Sequence, residues 1–135
     1  MKQYNLIINE KQAYAIKIAL EEYFRLRMGQ TLDLAESLAS AGFIYNKTDP
    51  ENAKKFNEYL KRRDDTQELL DQAIRVSQPA KAWSLPEECL VMEDIWQVIR
   101  HQLYLDRGGD PNGMSVDART PLQMSQEPLP EIRKE

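Results

Sequence analysis

Apolar residues return every three or four positions along most of this chain, and that rhythm divides it into helical stretches. From residue 10, the run EKQAYAIKIALEEYFRLRMGQ carries Ala13, Ile16, Leu20 and Phe24 on one stripe, which Met28 continues. Asn9 is placed to cap its first turn. Gly29 either kinks or ends this helix, since glycine weakens a helix interior by about 1 kcal/mol relative to alanine. Leu32, Ala35 and Leu38 then restore the stripe, and Gly42 offers a stop. The pattern predicts a continuous or gently bent helix over about residues 10–41. Asp49-Pro50, a cap followed by a first-turn proline, opens a helix through ENAKKFNEYLKRR with a narrow apolar face of Phe56, Tyr59 and Leu60. A further helical run, DTQELLDQAIRVS, carries Leu69, Leu70, Ala73, Ile74 and Val76 and ends before Pro79. After a connector at 78–86, a fourth helix runs from Glu87 to about Asp106. Val91, Met92, Ile95, Trp96, Val98, Ile99 and Leu103 give it a broad apolar face, which predicts a central core element.

Two segments follow a period of two instead. In QYNLII, residues 3–8, Tyr4, Leu6 and Ile8 alternate onto one face and predict a short strand. RGGDPNG, residues 107–113, is a turn by composition, and a second short strand is expected around Met114–Asp117. The rest of the tail holds three prolines and no helical period, so it reads as an extended arm over about 114–135. The expected fold is mostly α with a small β-sheet, an α+β single domain over residues 1–135. Two short strands make a marginal sheet, and pairing between protomers solves that problem, so a homo-oligomer is expected.

Composition narrows the classes. With 135 residues, 41% hydrophobic and 30% charged, the chain has room for one modest core and is not globally disordered. Its net charge of −4 opposes non-specific DNA binding, which depends on phosphate neutralisation, but leaves room for a local basic pocket. A single cysteine, Cys89, forms no intrachain disulfide, and with His101 it falls short of a structural zinc site. The start has no apolar leader and no run approaches a membrane span, so a reduced, cytoplasmic protein without a membrane partner is expected.

Chemistry concentrates in EDIWQVIRHQLYLDRGG. On a helix, Gln97, Arg100, Tyr104 and Arg107 fall at spacings of three, four and three and line one polar stripe, with His101 on the adjoining strip. Arginine presents a planar fork suited to phosphate, and tyrosine stacks or donates. The plainer reading is a solvated flank whose arginines pair with Glu93 or Asp94. A second group, Tyr23, Arg27 and Gln30, shares a face near the helix break, against the alternative of surface pairs with Glu21 and Glu22. Lys61-Arg62-Arg63 is offset by Asp64-Asp65, and Trp83 is expected to anchor the connector on the core. The adjacent acids Glu87-Glu88 and Glu93-Asp94 point in different directions and are expected to solvate the surface. No Gly-rich phosphate loop, nucleophile elbow or HExxH is present, and Cys89 reads as a buried, inert thiol. A non-enzyme, without metal or cofactor, is expected.

Three local patterns in sequence order resemble one family. They are Arg27-Met28-Gly29-Gln30, Asp94-Ile95-Trp96-Gln97-Val98-Ile99-Arg100-His101, and Ser115-Val116-Asp117-Ala118 with Pro121. Together they are similar to the small phage proteins of the anti-Thoeris sponge family, over about the first and last thirds of the chain. The resemblance implies a homo-oligomer in the host cytoplasm that binds cyclic ADP-ribose-type signals, or cyclic oligonucleotides of the CBASS defence, without cleaving them. It implies Arg100, His101 and Tyr104 on one wall of the ligand site, Arg27 and Gln30 on another, and Asp117 on ribose hydroxyls. Trp83 and Trp96 are the aromatic candidates for stacking. The alternative is a small phage adaptor or inhibitor acting through protein contacts, and a weaker one is a nucleotide-cleaving enzyme.

Overall fold

The computed structural model describes residues 1–40, 46–77 and 85–134. Among these, four helices follow one another: α1 (Glu10–Arg27), α2 (Leu32–Ala39), α3 (Asn52–Ser77) and α4 (Glu87–Asp106). No strand occurs among the described residues, so the α+β expectation is corrected to all-α. Residues 1–9 lie outside any ladder, with Tyr4, Leu6 and Ile7 largely exposed. The 114–117 segment folds into successive turns instead, in which Ala118 N–H donates to the Ser115 carbonyl and Arg119 N–H to that of Val116. Those bonds engage the Ser115 and Val116 carbonyls, which a ladder would need.

The long first helix is also corrected. It stops at Arg27, where Gly29 N–H bonds the Leu26 carbonyl and Gln30 N–H reaches that of Arg25 at 2.8 Å. This paired closure requires a left-handed residue just past the helix, and Gly29 supplies it at φ 76°. Helix α4 closes the same way, with Gly108 at φ 80° and Gly109 N–H on the Tyr104 carbonyl. Conversely, the two helical runs expected over 50–77 are one helix, α3, since no glycine or proline falls between Asn52 and Ser77. The start of α1 follows the sequence reading closely. Asn9 Oδ1 accepts from Gln12 N–H and Gln12 Oε1 accepts from Asn9 N–H, both at 2.9 Å, a reciprocal cap. Gly42 and Trp83 lie outside the described residues.

The chain divides into two compact units, and the boundary falls inside α1. The first unit is Met1–Phe24 with Pro86–Glu135. Here Phe24 is buried and meets Trp96 edge-on at 5.3 Å, and Trp96 Nε1 donates to Glu21. The second is Arg25–Leu85, in which α2 packs on α3. Thr31, Ala35 and Ala39, four residues apart, are its buried face, and their small size permits close approach of the two helices. Thr31 Oγ donates to Asp71 at 2.6 Å. On α3 the half-buried positions Tyr59, Arg63, Leu70 and Ile74 recur at helical spacing.

The face of α4 differs from the expected apolar one. Its buried residues are Cys89, Asp94, Gln97, Ile99, Arg100 and Leu103, three of them polar. The reason is the C-terminal arm, which runs back along α4 and presents backbone groups to it.

Candidate anion-binding site

In the first unit a cleft of about 240 Å³ opens between α1 and α4. Tyr14 and Lys17 line it from α1; Arg100, Leu103, Tyr104 and Arg107 line it from α4. Gly108, Gly109 and Asp117 complete the wall. The α4 residues reach one cavity because 100, 103, 104 and 107 fall on one helical stripe.

Arg100 is the unusual member. Its residue is 4% exposed, yet its Nε and Nη1 atoms are buried and make no hydrogen bond with any described residue. Nη2 donates to the Arg119 carbonyl at 3.4 Å, and Nη1 stands 3.9 Å from Asp117 Oδ1, an ion pair too long for a hydrogen bond. The guanidinium lies 5.0 Å from the Trp96 ring centroid, a cation–π contact. Burial lowers its pKa from the ordinary arginine value; Asp117 pulls it back up, and nearby Arg119 lowers it further. A buried N–H without an acceptor costs about 1–3 kcal/mol, so two on one side chain call for an explanation. Arg100 itself lines the cleft, so a turn of its guanidinium toward an anion there would provide the missing acceptor.

Around Arg100 the cleft carries more positive charge and two aromatic rings. Arg107 and Lys17 both lie over the Tyr14 ring, at 5.4 and 5.5 Å. Arg107 also pairs with Glu10 at 3.2 Å, an exposed bridge. Tyr104, whose hydroxyl donates to the Asp110 carbonyl, also lines the cleft. The arrangement suits a ligand with an anionic group at Arg100 and a flat group against a tyrosine.

Of the six residues expected at the site, Arg100, Tyr104 and Asp117 come together here. His101 sits beside them with Nδ1 3.1 Å from the Asp117 carbonyl, so that nitrogen faces the arm backbone. Arg27 and Gln30 belong to the second unit, where Gln30 Oε1 accepts from Arg25 Nη1 at 3.0 Å. Trp96 packs in the first unit against Phe24 and Arg100. The expectation that Glu93-Asp94 only solvates a surface is corrected for Asp94, which is 2% exposed. Nor does Asp94 pair with Arg100 as the plainer reading had it, for its hydrogen bonds come from the arm. Cys89 is buried, as expected.

Sequence reasoning missed Tyr14 and Lys17 as site residues, and left Arg107 in the stripe without a role. Tyr14 and Lys17 are three apart and off the Ala13–Ile16–Leu20 stripe, a faint signal of a second face. Among the described residues no three His, Cys, Asp or Glu side chains are placed to hold a metal. No helix among them is long and apolar enough to cross a membrane. No protein-family model, curated protein or solved structure matches the chain.

Proposed function

We propose that this protein binds a small phosphorylated nucleotide in the α1–α4 cleft and holds it without cleaving it. The observation that carries the reading is Arg100: a buried guanidinium with two nitrogens lacking acceptors, on a residue that lines a cleft with Lys17, Arg107 and two tyrosines. Nucleotide phosphate supplies the acceptors, and a base suits the tyrosine rings. The similarity to the anti-Thoeris sponge family narrows the ligand to cyclic ADP-ribose-type or cyclic oligonucleotide signals. The biological role is then sequestration of an immune signal in the host cytoplasm, which silences the effector that reads it. Exposed Tyr4, Leu6 and Ile7 support the further reading that the protein self-associates through its N-terminal segment.

The test is calorimetric titration with cyclic ADP-ribose and with a cyclic dinucleotide, followed by mass spectrometry of ligand released by heating. Intact ligand is expected. Cleaved ligand would make the protein an enzyme, and no retained ligand would favour a protein-binding adaptor. Arg100→Ala should weaken binding roughly ten- to a hundredfold, because a charge-assisted bond is worth roughly 1.5–3 kcal/mol. Loss of melting temperature with unchanged affinity would assign Arg100 to stability instead.

A further inference from the structure

The C-terminal arm lies along α4 in the opposite direction, and a row of polar side chains on that helix grips its backbone. Near the C-terminal end of the helix, Arg100 donates to the Arg119 carbonyl, and His101 meets that of Asp117. One turn back, Gln97 Oε1 accepts from Leu122 N–H at 2.8 Å. A turn further, Asp94 accepts three bonds: Met124 N–H at 2.6 Å, Ser125 N–H at 3.1 Å and Ser125 Oγ–H at 2.6 Å. At the start of the helix, Glu87 Oε1 accepts from Gln126 N–H at 2.7 Å. The lengths agree. From residue 100 back to 87 a helix rises about 20 Å, and from 119 to 126 an extended chain spans at most about 25 Å. The arm is therefore extended over residues 120–124, a state that Pro121 favours, and it bends at 125–127.

These contacts are unequal. Glu87 and Gln126 are exposed, whereas Asp94 and Ser125 are both buried. Asp94 alone satisfies three donors of the arm, and it does so as a charged acceptor removed from water. The arm, in turn, supplies what surrounds the guanidinium of Arg100: the Arg119 carbonyl on Nη2 and the Asp117 carboxylate facing Nη1. Between those two residues, Ala118 is 3% exposed, so the segment is seated and not merely adjacent.

We infer that Asp94 is a positioning residue for the Arg100 site: by seating the arm at Met124 and Ser125, it fixes the Asp117–Arg119 segment that orients the Arg100 guanidinium toward the cleft. The ligand part of this inference rests on the nucleotide-binding reading above; the orientation of Arg100 does not. Coupling of this kind is reciprocal, so ligand in the cleft strengthens arm docking just as arm docking strengthens the ligand. Asp94 touches no ligand and lines no part of the cleft. Its effect passes through the four arm residues between Arg119 and Met124.

Asp94→Asn tests this on the full chain, because an amide offers one acceptor oxygen where the carboxylate offers two. Met124→Pro is the companion variant; it removes one donor from the arm, leaves the sequence of α4 untouched and guards against a failure of α4 to fold. Three quantities are read: hydrogen exchange at the arm amides that each variant keeps, Ser125 in both and Met124 in Asp94→Asn; the Nε–H resonance of Arg100, whose nitrogen is buried; and affinity for cyclic ADP-ribose. In both variants arm protection should fall, the Arg100 resonance should broaden into fast exchange, and affinity should fall roughly tenfold, the loss of about one hydrogen bond. Cyclic ADP-ribose should also slow exchange at Met124 and Ser125 in the unaltered protein. A released arm with Arg100 and affinity unchanged would overturn the inference and leave nucleotide binding standing. An unaltered protein that binds no nucleotide, with the Arg100 resonance still dependent on Asp94, would sink nucleotide binding and leave the positioning role intact.

Discussion

Over its 26 residues α3 buries no side chain, whereas the 20-residue α4 buries Asp94, Gln97 and Arg100 along with Cys89, Ile99 and Leu103. Both helices are rich in polar residues, but they dispose of them differently. On α3 the charges pair with close neighbours in water: Lys61 with Asp65 at 2.8 Å, and Arg63 with Asp64 at 2.7 Å. The Asp65 hydrogen bond raises the pKa of the Lys61 ammonium, yet both side chains are more than half exposed and the pair is easily replaced by water. On α4 the polar groups Asp94, Gln97 and Arg100 have left water, and each has a partner in the arm. Surface charge keeps a helix soluble and tolerates exchange. Buried charge fixes one arrangement of the chain, and at Arg100 it leaves capacity for a ligand.

The sharpest way to break this contrast is to remove one aspartate from each helix. Asp94→Ala takes the acceptor from three arm donors, and the arm must either leave α4 or keep those donors dry. Hydrogen bonds to charged groups are worth roughly 1.5–3 kcal/mol each, and undocking lets the arm rehydrate, so a loss of about 3 kcal/mol is expected in urea unfolding. Asp65→Ala, on the solvated face of α3, should leave the urea midpoint where it was. Equal shifts would show that the arm contributes nothing beyond a surface pair.

A smaller effect sharpens the comparison inside the second unit, where Thr31 makes a part-buried polar contact. Thr31 occupies the cap position of α2 but does not cap it, because its hydroxyl donates to Asp71 on α3. Thr31→Val keeps the shape and removes the donor. Stability should fall by about 1–2 kcal/mol, while cyclic ADP-ribose affinity, which belongs to the first unit, stays unchanged. A variant that loses affinity would show that the α2–α3 contact also shapes the ligand site.

The same contrast explains what was legible in the sequence. Helix α4 was readable to its ends, Glu87 and Asp106, because its apolar period is strong and Gly108-Gly109 follows it. Asn9 was readable as a cap, since its signal is local. The strands were misread because alternation in 3–8 and 114–117 says nothing of a partner, and the turn amides at Ala118 and Arg119 close on their own neighbours. Arg100 and Tyr104 were legible as a stripe. Asp94 was not, because a carboxylate beside Glu93 has the composition of a solvated face, and only an arm thirty residues later turns it into an anchor. Tyr14 and Lys17 were missed for a similar reason: which element faces a stripe is a property of packing, and the stripe itself carries no record of it.

The smallest effect tests whether the two units share one unfolding transition. Gly29 and Gly108 perform the same task at the ends of α1 and α4, at φ 76° and 80°, and beyond its chain neighbours neither has an atom within 4 Å of where a Cβ would stand. Alanine at either position therefore meets no steric obstacle and pays only for the left-handed backbone, about 1 kcal/mol. Gly29 belongs to the second unit and Gly108 to the first. Because α1 contributes residues to both units, a single cooperative transition is expected. Gly29→Ala and Gly108→Ala should then lower the same melting transition by the same amount. Two transitions, with each variant moving only one of them, would show that the units unfold separately. The stability assigned above to Asp94 would in that case belong to the first unit alone.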